Sequence, residues 1–379
     1  FNHHLERKNM AFSYWESNTW LEGVDLVVIG AGIVGLTAAI HARSMRPHWR
    51  IVVLDADPIG GGGSTRNAGF SCFGSATELQ QDRQSFGDED ALNLVRKRWQ
   101  GLQNLRSTFG DDALGHTVCG SVELFPNGGG TCIPSAQELQ DLNRWIQPVT
   151  GQVETFVQIQ AHSLPQINAK SENTAILSPL EGLLDTGKMN RAFKSLAHTK
   201  GIDILAGIRV ETINSAKSGC EMQVSAFSRG NASITAARIL VATNALGATL
   251  IPELDVQPAV NHVFVTDRIP GFHFPHAVHI DAGYIYARPI ENRILMGGGR
   301  HWGLDEAETR KRLKSMMTKL WPATEAVPIA YQWSGQLGVG KNRSPIVQWC
   351  GPNTLAAVRM GGMGCLLYTS PSPRDSGKS

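Results

Sequence analysis

An α/β chain of two interleaved domains is predicted for these 379 residues. Three observations predict it. A strand, glycine turn, helix and second strand follow one another between Asp25 and Asp55. Helix and strand patterns alternate again between Met189 and Ala248, and beyond Pro252 strands follow one another with little helix between them.

In the first unit the apolar strand Leu26 to Ile29 breaks into Gly30-Ala31-Gly32-Ile33-Val34-Gly35 and an Ala-rich helix. A second strand, Ile51 to Leu54, ends on Asp55, about 20 residues past the last glycine, which completes a Rossmann-type dinucleotide-binding βαβ unit. Gly30 permits the tight turn, Gly32 lets the backbone approach a pyrophosphate, and Gly35 lets the helix pack closely on the sheet. The helix start at Ile33 and Val34 offers N–H groups and positive dipole to phosphates. Asp55 accepts hydrogen bonds from an adenosine ribose, with Ala56 beside it. The unit alone does not distinguish FAD from NAD.

Further along, Leu92, Val95, Trp99, Leu102 and Arg106 space as one helical face over residues 91–107. Ser135 and Glu138 form a capping-box pattern opening a helix through Trp145. Met189, Ala192, Phe193 and Leu196 space as a helix stopped by Gly201, followed by strands at Ile202–Leu205 and around Val210. A buried strand is expected at Ile239–Ala242. After Pro252 come NHVFVTD, HAVHIDAGYIYARPI and NRILMGGGR, with a hairpin corner at Ile290–Ile294 and a helix from Asp305 toward Leu320. The resulting division assigns 24–85, 177–250 and 340–367 to a discontinuous cofactor domain. Residues 86–176 and 251–339 form an inserted, mainly antiparallel α+β substrate domain.

A formal net charge of +2 favours neither nucleic acid nor an anionic membrane as partner. No transmembrane segment is expected, because the longest apolar run, Leu26 to Ile40, is glycine-interrupted and shorter than the roughly 20 residues a span needs. The start lacks a secretion-signal pattern. Cys72, Cys119, Cys132, Cys220, Cys350 and Cys365 show no C-x-x-C pair, which points to reduced thiols and a cytoplasmic location. No metal site is expected; His3-His4 is weak evidence for one. The ends, residues 1–9 and 368–379, read as disordered or non-native, with Met10 a candidate initiator. Pro371 and Pro373 forbid a normal helix in the closing stretch.

Three blocks of residues resemble a known family. The first is the opening unit followed by Ser64-Thr65-Arg66-Asn67-Ala68-Gly69-Phe70, an S-x-R-N-A-G-F segment. The second is GIRVETIN followed by RILVATNA, and the third is Arg359-Met360-Gly361-Gly362-Met363-Gly364. Over Asp25 to about Gly364 the chain is similar to the D-amino-acid-oxidase-type FAD oxidoreductases, which include glycine oxidase, sarcosine oxidase and gamma-glutamylputrescine oxidase. The resemblance implies a glutathione-reductase-like FAD-binding domain. It places Ser64, Thr65, Arg66, Asn67, Ala68 and Gly69 beside the flavin, Val210 at the adenine with Ala242 on the neighbouring strand, and Gly361 to Gly364 facing the pyrimidine ring. The four-glycine run Gly60–Gly63 then reads as close approach to the ligand. A helix N-terminus at the pyrimidine stabilises reduced flavin by dipole and N–H donation.

The segment from Trp333 to Pro345 resembles gamma-glutamylputrescine oxidase in its W-x-G and N-R-x-P pattern. Glycine oxidase places a substrate-holding arginine soon after W-x-G, where this chain has Gln336 and Leu337. A neutral residue gives no bidentate carboxylate grip, which tilts the substrate toward amines or larger N-substituted compounds. Arg288, Arg300 and Arg343 remain as other carboxylate partners. Sarcosine-oxidase-like members attach FAD through a cysteine whose matching place lies near Gly335, so the FAD is expected to be non-covalent. The implied chemistry is hydride transfer from the amine-bearing carbon to the flavin, giving an imine.

Arg66 and Asn67 are candidates near the flavin. Alternation puts Tyr284, Tyr286 and Arg288 on one strand face toward the pocket. His301 is a candidate base, or else a surface-loop histidine. No Ser-His-Asp set or paired carboxylate stands at convincing spacing. The family's oxygen-activating lysine has no evident counterpart in NHVFVTDRIPG, so the acceptor is oxygen or an electron carrier. Two alternatives are an α-amino-acid dehydrogenase using a carrier and an FAD-binding scaffold factor without turnover.

Overall fold

The computed structural model describes residues 12–125, 132–168, 174–226, 229–341 and 344–361. The readings of both chain ends, and of Arg343, Gly362, Met363, Gly364 and Cys365, therefore lie outside the described residues. The chain forms two compact units.

The first unit comprises Phe1–Thr65, Asn190–Ala259 and Leu337–Gly362. Its central strands, Val24–Ile29 and Ile51–Asp55, are runs of β-branched residues buried on both faces, as parallel strands require. They pair in parallel, Val27 opposite Val52. The sheet order is Ile208–Ala216, Gly219–Ala226, Gly230–Val241, Val24–Ile29, Ile51–Asp55, Asp203–Ala206. The long strand Gly230–Val241 serves two geometries. Its first half pairs antiparallel with Gly219–Ala226, and its last residues run parallel to both Val24–Ile29 and Thr354–Val358. The core under this sheet includes Val27, Leu54, Met222, Ile239 and Val241, each burial worth about 1.5–3 kcal/mol.

The second unit comprises Arg66–Met189 and Val260–Gln336 among its described parts. In its eight-stranded sheet Ala277–Ile280 runs parallel to Ser121–Leu124. Antiparallel pairs are Gln257–Thr266 with Arg293–Gly298, the latter with Ile285–Ile290, Ile285–Ile290 with Ala277–Ile280, and Thr174–Ser178 with both its neighbours. The chain passes between these units at 65/66, 189/190, 259/260 and 336/337, where the sequence reading expects 85/86, 176/177, 250/251 and 339/340. The cause is a small sheet: Phe70–Ser71 pairs with Gly182–Leu183, which also pairs with Thr117–Val118. That pairing draws residues 66–85 and 177–189 into the second unit.

The helix Asp88–Phe109 buries Ala91, Val95, Arg98, Leu102 and Leu105, so its inward face is rotated from the expected one. Arg98 takes an inward position because Asp82 and Glu78 lie 3.4 and 4.0 Å from its guanidinium. The helix Ala136–Thr150 opens on the capping box of Ser135 and Glu138 and runs past Trp145 to a left-handed Gly151. Among the described residues no helix is long and apolar enough to cross a membrane.

Candidate active site

The glycine turn of the first unit leaves no room for side chains. A Cβ on Gly35 would lie 1.9 Å from the Gly30 carbonyl oxygen, and one on Gly30 would lie 2.8 Å from that of Ala242. The helix Ile33–Met45 starts from Gly32, which has no capping side chain of its own. Ser64 Oγ accepts instead from Ile33 N–H at 2.9 Å. The neighbouring first-turn amides, Val34 and Gly35, have no acceptor within the helix, which makes this end a phosphate site. At the end of the second strand Asp55 accepts from Ala31 N–H (2.7 Å) and Asp57 N–H (2.8 Å). Its carboxylate is thereby fixed, with lone pairs left for a ribose hydroxyl. Ala56 is exposed beside it, and Thr65 Oγ1 donates to the Gly60 and Gly62 carbonyls. Val210 is buried in strand Ile208–Ala216. A cavity of about 460 Å³ opens nearby, lined by Trp20, Pro58, Ala206, Ile208 and Arg229 among others. Bare helix amides, glycines that exclude Cβ atoms and a carboxylate fixed at the strand end fit a bound dinucleotide such as FAD.

The turn before Gly361 is locked by contacts that sequence reasoning missed. Arg359 has a left-handed φ of 59° and a buried guanidinium. Its Nη1 donates to the Asp255 carbonyl (2.9 Å) and carboxylate (2.6 Å), and its Nε to the Ser344 carbonyl (2.8 Å). Asn244, also left-handed at 46°, accepts from Met360 N–H at 3.0 Å. No spacing rule links Asp255 to Arg359. Asn244, by contrast, stands just after RILVAT, where a tight turn is expected.

In the second unit Asn67 Oδ1 accepts from Gly69 N–H at 2.8 Å, closing a local turn. Arg66 is exposed; its Nη1 donates to the Ser334 carbonyl (3.2 Å) and its own carbonyl accepts from Trp333 Nε1 (3.0 Å). Gly335 packs directly on that carbonyl, where a Cβ would sit 3.0 Å away.

Arg288 departs from the expected role of substrate or carboxylate contact. Its Nη1 donates to the carbonyls of Ala68 (2.9 Å), Gly69 (2.9 Å) and Leu184 (2.8 Å). Burial lowers its pKa to about 10, so it stays charged at neutral pH. Tyr286 is half-buried beside Phe70 and packs across Gly297. Burial, against a smaller opposing pull from Arg300 and Asn261, raises its phenol to about 12. Tyr284 lies just outside the strand, which begins at Ile285, and follows three left-handed residues, Asp281, Ala282 and Gly283.

Tyr284 belongs to another group. Its ring lies 4.6 Å from that of His301 and 4.4 Å under the Arg300 guanidinium. His301 Nε2 stands 2.8 Å from Asp281 Oδ2. Burial lowers the His301 pKa, Asp281 raises it, and Arg300 and Arg312 lower it further, for a net depression. The imidazole is thus oriented and biased toward its neutral form.

Two clusters appear that spacing did not reveal. Ser71 Oγ lies 3.0 Å from His116 Nε2, and His116 Nδ1 lies 3.3 Å from Asp111 Oδ1. His116 Nδ1 makes no hydrogen bond and Ser71 is fully buried, so the three residues form no Ser-His-Asp relay. Cys72, Glu181 and His279 bring ligand-type atoms within 4.8 Å of one another. Glu181 already accepts from four donors: Phe73 N–H, Gly74 N–H, Ser121 Oγ and His279 Nε2. Those four fill a carboxylate's acceptor positions.

The family model for DAO, FAD dependent oxidoreductase, matches residues 25–369. Gamma-glutamylputrescine oxidoreductase of Escherichia coli (strain K12) is 24% identical over 337 residues, covering 85% of this chain and 75% of that protein. Among solved structures, L-proline dehydrogenase from P. horikoshii superposes with a TM-score of 0.70 at 17% identity, covering 92% of this chain and 91% of that one. Glycine oxidase from Geobacillus kaustophilus gives 0.69 at 20% identity, with 91% of each chain covered. Glycine turn, fixed carboxylate and family match agree, and the chain belongs to the DAO family of FAD-dependent oxidoreductases.

Proposed function

We propose that the chain oxidises the carbon–nitrogen bond of an amine or amino acid to an imine. Non-covalently bound FAD supplies the hydride acceptor. In this reading Gly30 to Gly35 hold the pyrophosphate, Asp55 the ribose, and Arg66 to Phe70 border the flavin. The observation that carries it is His301, fixed by Asp281 and kept toward neutrality beside Tyr284 and Arg300. A neutral imidazole accepts the proton of a substrate ammonium, leaving the nitrogen lone pair to drive hydride departure from the adjacent carbon. Water then hydrolyses the imine.

Two features support amines or larger N-substituted compounds over simple α-amino acids. By the resemblance, Gln336 or Leu337 falls where glycine oxidase has a carboxylate-gripping arginine, and the Arg288 Nη1 donors go to backbone carbonyls. Glycine at position 335 offers no thiol for a covalent flavin bond. Five free cysteines among the described residues support a reducing, cytoplasmic location.

Anaerobic mixing with α-amino acids, diamines and γ-glutamyl amines tests this. Bleaching of the flavin's visible absorbance by an amine is expected. If none bleaches it, the chain is a scaffold and the proposal is wrong; bleaching by α-amino acids alone overturns the amine preference.

Replacing His301 with glutamine should lower kcat/KM at neutral pH by about 100-fold. His301 is a base only above its depressed pKa, so wild-type activity falls as pH drops through that value. The variant should lose this acid limb. An unaltered limb would sink the assignment.

A further inference from the structure

The stretch Ala68–Gly74 is gripped by ionisable side chains of both signs: half-buried Arg288 and fully buried Arg98 and Glu181. Arg288 holds the carbonyls of Ala68 and Gly69, and Arg98 Nη1 holds that of Phe73 at 3.1 Å. Glu181 Oε1 takes the amides of Phe73 (3.0 Å) and Gly74 (3.3 Å). Its other oxygen accepts from Ser121 Oγ at 2.5 Å and faces His279 Nε2 at 3.3 Å. Glu181 and His279 are 0% and 1% exposed, so nothing from solvent substitutes for either partner. The His279 ring also lies 5.2 Å from that of Phe70, which meets Tyr286 at 5.7 Å. One imidazole therefore touches the start of the stretch directly and its end through a carboxylate.

We propose that Glu181 and His279 are a positioning pair that fixes the Arg66–Gly74 segment, and through it the pose of FAD. This rests on the reading that Arg66–Phe70 border the flavin. Neither side chain reaches a reacting atom; their work is on the backbone. Glu181 must be ionised to accept all four donors, and an ion so deep needs a charged counterpart. His279 supplies it.

The groups around this imidazole are Glu181, Glu123, Glu78, the Cys72 thiol and Tyr286 directly opposite on the next strand, with Asp82 and Arg98 behind Glu78. Carboxylates outnumber the guanidinium here. Burial opposes the charged imidazole, but the hydrogen bond to Glu181 and the fields of Glu181, Glu123 and Glu78 outweigh it and hold its pKa up. Alkaline pH removes the proton and leaves Glu181 uncompensated, which loosens the segment.

The experiment measures the FAD dissociation constant of reconstituted protein from pH 6 to pH 10 by flavin fluorescence, alongside the visible flavin spectrum. Wild type should bind FAD about tenfold more weakly at the alkaline end, the scale of one lost charge-assisted hydrogen bond. His279→Gln, which keeps a neutral donor, should bind more weakly at neutral pH and show no alkaline limb. Glu181→Gln should match it. An alkaline limb retained in His279→Gln overturns the pair. So does a wild-type profile flat to pH 10, which decides the matter even if the variants fail to fold. The affinity readout needs no turnover: FAD that binds but is bleached by no amine refutes the proposed reaction and leaves this pairing to its own test.

Discussion

Replacing Gly35 with alanine abolishes FAD binding. The added Cβ would lie 1.9 Å from the Gly30 carbonyl oxygen and 3.1 Å from Val28 Cγ1. Overpacking that flexible side chains absorb costs about 1–3 kcal/mol. Here the obstructing atom is backbone within the very turn that carries the phosphate site, so the cost lies at or above the top of that range. The helix Ile33–Met45 must then lift from strand Val24–Ile29, and the amides at its start move with it. Purified Gly35→Ala should carry no flavin absorbance after desalting. Gly62→Ala is the comparison, because a Cβ there meets no protein atom within 4 Å; flavin lost from it as well would place the Gly60–Gly63 run against the ligand. Stoichiometric FAD in Gly35→Ala would refute the role given to the turn.

Arg288→Met is expected to lower thermal stability and to leave substrate selectivity untouched. The carbonyls of Ala68 and Leu184 lose their guanidinium donor, whereas that of Gly69 still accepts from Leu184 N–H at 2.8 Å. Each buried acceptor left without a donor costs about 1–3 kcal/mol. A loss of about 3 kcal/mol corresponds to a melting temperature lowered by roughly 6–12 °C in a domain of this size. Michaelis constants for substrates with and without a carboxylate should shift together. A normal melting temperature with KM raised only for carboxylate-bearing substrates would restore Arg288 to the substrate pocket.

The parts of the fold legible in sequence are those written in local pattern. Val27-Val28-Ile29 and Ile51-Val52-Val53 lie on central parallel strands, and the hairpin at Ile290–Arg293 turns through a left-handed Glu291. The FAD turn was legible because its chemistry demands glycines at fixed spacing. What escaped depended on partners far apart in the chain. Arg98 reads as a solvent-facing residue until Asp82 and Glu78 are placed against it. Arg288 reads as a pocket cation until three carbonyls are found on one nitrogen. Tyr284 was grouped with Tyr286 and Arg288 by strand alternation. The strand itself begins one residue later, at Ile285, after three left-handed residues of which Asp281 and Gly283 carry a sequence signal.

The pairing of strand Gly230–Val241 has a consequence for synthesis. Strand Val24–Ile29 emerges early, but one of its flanks is completed only by residues 236–241, which themselves take Thr354–Val358 as a further neighbour. At about 5–20 residues per second on the ribosome, the first strand of the FAD domain waits tens of seconds beside unfinished neighbours. Throughout that interval its Val-Val-Ile edge is open to mispairing. The nascent chain is therefore most exposed to aggregation before its C-terminal strands emerge, and soluble yield should depend on chaperones acting over that window.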